Sequence, residues 1–184
     1  LALAATAVLA TAALAQQRLF FGIATGGTGG TYYPLGGMLA QLISNKATVA
    51  GQKVSATAEA AGASVGNAKL LGNKEIESAF VAADILGAAY NGTGQFQGAP
   101  LKNLRALGAL YPETVQLITR GDSGINSVRD LKGKSISSGA PGSGQYQLLT
   151  DLLKVHGMTR TDVKEDLSSF TQAVRSKRSP WCAA

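Results

Sequence analysis

Residues 22–36 read GIATGGTGGTYYPLG, and this stretch decides the fold. The apolar run Leu19–Ala24 has the length and composition of a buried strand. Residues 25–33, TGGTGGTYY, carry too much glycine for either regular element and read as a loop. Pro34 suits the first turn of a helix, and Leu35, Met38, Leu39, Leu42 and Ile43 then fall at helical spacing. Strand, glycine loop and helix therefore follow in immediate succession. The same unit recurs: Lys134 to Ser138 as strand, residues 139–144, GAPGSG, as loop, and Gln145 to His156 as helix, with Leu148, Leu149, Leu152 and Leu153 on one face and Gly157 as its cap.

The intervening chain alternates in the same way. Lys53 to Ala58 and Ser78 to Ala82 read as strands, and Ser64 to Leu71 and Ile85 to Tyr90 as helices ended by Gly72 and by Asn91-Gly92-Thr93-Gly94. Leu104 to Leu110 and Val115 to Thr119 read as two further strands, and Ser127 to Leu131 as a helical turn. Alternating strands and helices with short connections predict an α/β fold with a largely parallel sheet. A domain seam is expected near residues 111–121.

The two glycine loops carry whatever chemistry the chain has. A strand that feeds a glycine loop into a helix leaves backbone N–H groups pointing outward. The helix macrodipole makes that end electropositive by about half a charge. Glycine lets an anion approach the backbone, and Thr25, Thr28, Thr31, Ser138 and Ser143 add hydroxyls. In parallel α/β sheets, ligands sit outside the carboxyl ends of the strands, where these loops lie. Neither loop is a nucleotide site by pattern. The Walker sequence G-x-x-x-x-G-K-[ST] needs a lysine that both loops lack, and the GGTGG of 26–30 does not have the G-x-G-x-x-G spacing.

Composition excludes other classes. The chain has 184 residues, 17 basic and 11 acidic, for a formal charge of +6. Arg175, Lys177 and Arg178 lie in a terminal segment; without these three, 14 basic residues face 11 acidic ones. The rest are scattered without a basic stripe or interleaved aromatics, which argues against nucleic-acid binding. The single cysteine, Cys182, forms no intrachain disulfide, and its spacing to other ligating residues suggests no metal or cofactor site. There is no nucleophile–base pair, and one histidine, His156, stands by a helix end, so no catalysis is expected. Residues 1–15, LALAATAVLATAALA, are uncharged and apolar and end in an A-x-A cleavage pattern, which reads as a secretory signal with Gln16 as mature start. They are shorter than the ~20 residues of a membrane span. An extracytoplasmic location and a chain that does not itself span the membrane follow.

At this level of detail the sequence resembles the TAXI family, the extracytoplasmic solute receptors of TRAP transporters. The resemblance starts in residues 22–36. It continues through Val65-Gly66-Asn67 with Leu70-Leu71, Phe80-Val81 leading to Asp84, and Tyr90-Asn91-Gly92-Thr93-Gly94. It then runs through 101–112, LKNLRALGALYP, Asp122-Ser123-Gly124-Ile125, 128–134, VRDLKGK, and 139–144, and covers about residues 17 to 174. It implies a fold like the type II periplasmic binding proteins, two α/β lobes closing on a solute. The first lobe would be 16–112 and an incomplete second lobe 113–174, followed by an aberrant basic tail, 175–184, RSKRSPWCAA. The implied solute is a small organic acid, glutamate-like or a dicarboxylate, handed to the sodium-driven TRAP membrane subunits.

Carried over residue by residue, the resemblance implies ligand contacts from Gly26, Gly27, Thr28, Gly29 and Thr31, with Tyr32 and Tyr33 as an aromatic wall. It adds Val65, Gly66 and Asn67 at a helix start, and Ser138, Gly142, Ser143 and Gly144 in the second loop. Asp84 suits either a ligand contact or a helix N-cap. The family often has Gln-Ser before that acidic residue; here Ala82-Ala83 stand there. Two other functions share this pattern: an α/β enzyme holding a phosphorylated ligand on the 25–33 loop, and a ligand-sensing module of a signalling receptor.

Overall fold

The structure, a computed structural model, describes residues 18–175 and 181–183. The signal segment read at 1–15 lies outside the described residues. The described residues form two four-stranded sheets. In the first, β1 (Leu19–Ala24), β2 (Thr48–Val49), β3 (Gln52–Glu59) and β4 (Ser78–Ala79) lie in the order β2-β3-β1-β4. Strands β3 and β4 both run parallel to β1, in a register that pairs Leu19 with Val54 and Ala24 with Glu59. In the second, β5 (Leu117–Thr119), β6 (Ser135–Ser137), β7 (Lys164–Asp166) and β8 (Trp181–Ala183) lie in the order β5-β8-β6-β7. Strands β7 and β8 are parallel to β6, and β8 is antiparallel to β5.

Helix α1 (Tyr32–Lys46) connects β1 to β2 and packs on the first sheet. Ile23, Ala40 and Phe80 form its core, with Leu35, Leu39 and Ile43 half-buried around them. Met38 and Leu42, on the same apolar period, face outward and are exposed. Gly36 explains how close helix and sheet lie: a Cβ there would collide with Thr25 Cγ2 and meet the Ala58 methyl at 3.5 Å. Helix α1 starts two residues before Pro34, so Tyr32 and Tyr33 belong to the helix and not to the loop.

Helices α2 (Ala63–Gly72) and α3 (Ala83–Asn91) bury Val65, Ala68, Ile85 and Ala89 together with Phe96 and Leu104. Gly92, at φ +70°, ends α3 in the left-handed conformation that glycine adopts without steric cost. Helix α4 (Gly144–Val155) lays Leu149 and Leu153, i and i+4 on one face, against Ile136 of β6 and Leu131, Met158 and Val163. Helix α5 (Phe170–Arg175) follows β7.

Five expectations are corrected or refined. Leu104 to Leu110 is not a strand. Leu104 is buried in the α2–α3 core, but Leu107 is 90% and Leu110 65% exposed, so the alternation has no neighbouring strand to satisfy its backbone. The strand predicted at Ser78 to Ala82 is confined to Ser78–Ala79, and that at Val115 to Thr119 to Leu117–Thr119. The turn at Ser127 to Leu131 is a 3₁₀ turn, closed by a capping box between Ser127 and Asp130. Trp181–Ala183, inside the stretch read as a tail without apolar period, forms β8.

Candidate functional site

The first glycine loop leaves β1 at Thr25, which is fully buried. Its N–H (2.9 Å) and its hydroxyl (2.7 Å) both donate to the Glu59 carbonyl, tying the loop to the end of β3. Gly30 N–H then donates to the Gly27 carbonyl (2.9 Å) and turns the chain into α1. Gly27, Thr28, Gly29 and Thr31 are exposed along this turn. Gly26 is buried against the first turn of α2: a Cβ on it would sit 3.6 Å from that of Ala63.

That first turn of α2 is where the two halves of the molecule meet. Ala63 holds a φ of +55°, a conformation that costs a non-glycine residue roughly 1–2 kcal/mol. The N–H groups of Val65 and Gly66 both donate to the carbonyl of Gly142, at 3.0 and 3.1 Å. Two orphan donors of a helix N-terminus are thereby satisfied by the opposite glycine loop. Gly139 and Gly142 both have φ +83°, so each can be a residue other than glycine only under strain. A Cβ on Gly144 would lie 3.4 Å from Ser64 Oγ and 3.5 Å from Ile85 Cγ1, so the start of α4 presses on the starts of α2 and α3. Ser143 is the N-cap of α4, but its hydroxyl makes no capping bond; it is buried and without a partner among the described residues.

Other predicted residues fall elsewhere. Asn67 is fully buried. Its side-chain amide donates to the carbonyls of Phe80 (2.7 Å), Thr25 (2.8 Å) and Ala24 (3.3 Å), binding the ends of β1 and β4 to α2. Tyr33 lines a groove of about 450 Å³ between α1 and β3 together with Gln41 and Ser44, apart from the glycine loops. Asp84 is exposed in the first turn of α3, where its charge complements the helix dipole. Ser138 is buried at the end of β6 and its hydroxyl donates to Glu165 (3.2 Å). Glu165 is in turn paired with Arg160, whose guanidinium stacks 3.5 Å over the Tyr146 ring and donates to the Tyr146 carbonyl and Thr150 hydroxyl, each at 2.8 Å. Ser138 thus fixes the root of the second loop.

Tyr32 stays beside the first turn of α2. Its ring leans on Phe80 at 5.3 Å, and its hydroxyl donates to Glu113 (3.2 Å) and lies 3.4 Å from Ser64 Oγ. Ser64 Oγ also accepts the Ala82 N–H at 3.0 Å. Burial, opposed by the Ser64 bond and reinforced by Glu113, pushes the Tyr32 hydroxyl well above its ordinary range. Two contributors were missed in the sequence. Glu113 lies in the connection between the sheets. The start of α5 closes on the first loop, with Thr171 hard against Gly29, and with Phe170 near Gly30, where a Cβ would meet its ring at 3.7 Å. The capping pattern Ser169–Gln172 that starts α5 is visible in the sequence.

The two glycine loops therefore border one shared turn, the start of α2. Amides, hydroxyls and one tyrosine ring converge there.

Residues 23–178 match the family model described as NMT1-like family. Two solved structures are similar over nine-tenths of the chain, both at 20% identity. The alkanesulfonate-binding protein SsuA of Xanthomonas axonopodis pv. citri, bound to MOPS, gives a TM-score of 0.57 with 90% of this chain and 53% of that chain covered. The periplasmic aliphatic sulphonate binding protein SsuA of Escherichia coli gives 0.54, with 91% and 50% covered. The fold is thus the α/β fold of periplasmic binding proteins, and the chain spans about half the length of these two.

Proposed function

The chain belongs to the NMT1-like family, and from that premise we propose that it is an extracytoplasmic solute-binding protein that captures a small organic anion without catalysis. The solute class is a glutamate-like acid or a dicarboxylate. The recipient is the membrane part of a TRAP-type sodium-driven transporter, as the TAXI resemblance of residues 22–36 and 139–144 suggests. The single observation that carries this function is the convergence of both glycine loops on the first turn of α2, with Gly142 O on the Val65 and Gly66 amides.

The physics of capture follows from that arrangement. A charge-assisted hydrogen bond contributes about 1.5–3 kcal/mol. Micromolar affinity is about 8 kcal/mol, so at least three or four such bonds are needed before the cost of association is met. One loop offers too few, whereas two facing loops can supply them. A solute oxygen with a full negative charge is a better acceptor for the Val65 and Gly66 amides than the neutral Gly142 carbonyl, so solute entry and movement of the second loop are coupled. His156, the chain's one histidine, sits at the far end of α4, with Nδ1 2.8 Å from the Leu152 carbonyl. Among the described residues no helix is long and apolar enough to cross a membrane.

Thermal-shift and calorimetric titration with propionate, succinate, glutamate and methanesulfonate test this function. The last is included because both similar structures are named as sulfonate binders. Gly27→Asp is a clean probe, since a Cβ at Gly27 meets nothing within 4 Å. Binding should fall at least about tenfold, the effect of a like charge a few ångströms from the solute, with the melting temperature unchanged. Absence of stabilisation by any acid, or equal affinity in the variant, would contradict the function.

A further inference from the structure

Glu113 is exposed beside the first turn of α1, with its carboxylate held by two tyrosines. Tyr32 Oη donates to Oε2 at 3.2 Å and Tyr111 Oη to Oε1 at 3.3 Å. Through the Tyr32 hydroxyl, 3.4 Å from Ser64 Oγ, the carboxylate lies one bridging group away from the first turn of α2. The two hydroxyls stay protonated donors at neutral pH: burial first and Glu113 second push Tyr111 up to about 12, and Tyr32 is raised further.

Among the described residues, the segments around it hold no fixed positive charge to offset it. Residues 26–32, 62–66, 139–145 and 169–172, which meet around the first turn of α2 and the first glycine loop, contain no lysine or arginine. Arg160, behind the second loop, is committed to Glu165. The positive character of the site comes from helix N-termini, about half a charge each. That suffices for one anionic group. A second negative charge on the same small solute would face Glu113 without compensation.

Resting on the anion-capture function above, we propose that Glu113 is a specificity-determining residue that makes the cleft discriminate against dianions in favour of singly charged acids. Of the two solute classes above, the dicarboxylate is disfavoured, and the glutamate-like acid, whose ammonium offsets its second carboxylate, is retained.

Calorimetric titration of the chain and of Glu113→Gln with propionate and succinate at pH 7 and low ionic strength tests the proposal. The unaltered chain should bind propionate at least as tightly as succinate. Glu113→Gln should gain about tenfold in affinity for succinate and less than about threefold for propionate, because succinate brings two charges within a Debye length of Glu113 and propionate one. Glu113→Asp, which keeps the charge, should keep the preference for propionate. Equal changes for both acids, or loss of both at unchanged melting temperature, would overturn the assignment and leave anion capture standing. Failure of all three proteins to bind either acid would overturn the assignment together with the capture function.

Discussion

Asn67 separates a structural clamp from a ligand contact, and Asn67→Ala tells which it is. Its amide donates to three carbonyls, of which Ala24 O also accepts the Phe80 N–H at 2.9 Å. Truncation therefore orphans chiefly Thr25 O and Phe80 O, both in a fully buried setting. An orphaned buried acceptor costs about 1–3 kcal/mol. The variant also removes the Asn67 Oδ1, itself buried without a partner, which returns part of that cost. The net loss is about 3 kcal/mol, a large share of the ~5–15 kcal/mol that holds a domain together. With a denaturant slope of about 2 kcal/mol/M, the urea midpoint should fall by roughly 1.5 M at unchanged slope. Asn67→Asp should be worse, because it turns a carboxylate oxygen toward the same carbonyls. Solute affinity of the folded Asn67→Ala protein should stay within about threefold of the original, a change below ~0.7 kcal/mol. A midpoint shift under about 0.5 M combined with a collapse in solute affinity would refute the clamp and make Asn67 a contact of the solute.

Two further outcomes follow from the same geometry. Gly142→Ala forces a side chain to φ +83° and puts a Cβ 3.4 Å from the Gly62 carbonyl. The strain of about 1–2 kcal/mol should loosen the second loop from α2, seen as faster hydrogen exchange at the Val65 and Gly66 amides with exchange at Ile136 unchanged. On the alkaline side, Tyr111 is raised from 10 to about 12 and Tyr32 is raised as well, so both hydroxyls hold their protons more tightly in the folded chain. Their contribution to stability is complete below pH ~10 and is lost as pH rises through ~12, the interval between unfolded and folded values. Melting temperatures from pH 8 to 12, followed beside tyrosinate absorbance, should be level and then fall; a curve that stays level to pH 12 would contradict the hydrogen bonds of Tyr32 and Tyr111 to Glu113.

The local units were legible because each carries its own period and punctuation. Strand β1 was read with its bounds, and α2 and α4 emerged from leucine and alanine spacing closed by Gly72 and Gly157. The glycine loops announced themselves through residues that no regular element tolerates. What escaped was long-range. Leu104 to Leu110 alternates as a strand does, yet a strand requires a neighbour, and its leucines lie open instead. The burial of Asn67 arises only when the ends of β1 and β4 meet above α2. Glu113 reads as a connector residue until Tyr32, 81 positions earlier, reaches it. The Arg160–Glu165 pair beneath Ser138 likewise has no local signature. Ser169 to Gln172 did carry a capping pattern, but nothing near it in sequence connects that turn to the first glycine loop.

The central claim is that both glycine loops serve one solute, and backbone amide chemical shifts during titration with propionate test it most directly. Gly26 to Thr31, Val65, Gly66 and Gly142 to Gly144 should shift together with a single dissociation constant. Shifts confined to one loop, or two loops titrating with different constants, would contradict it.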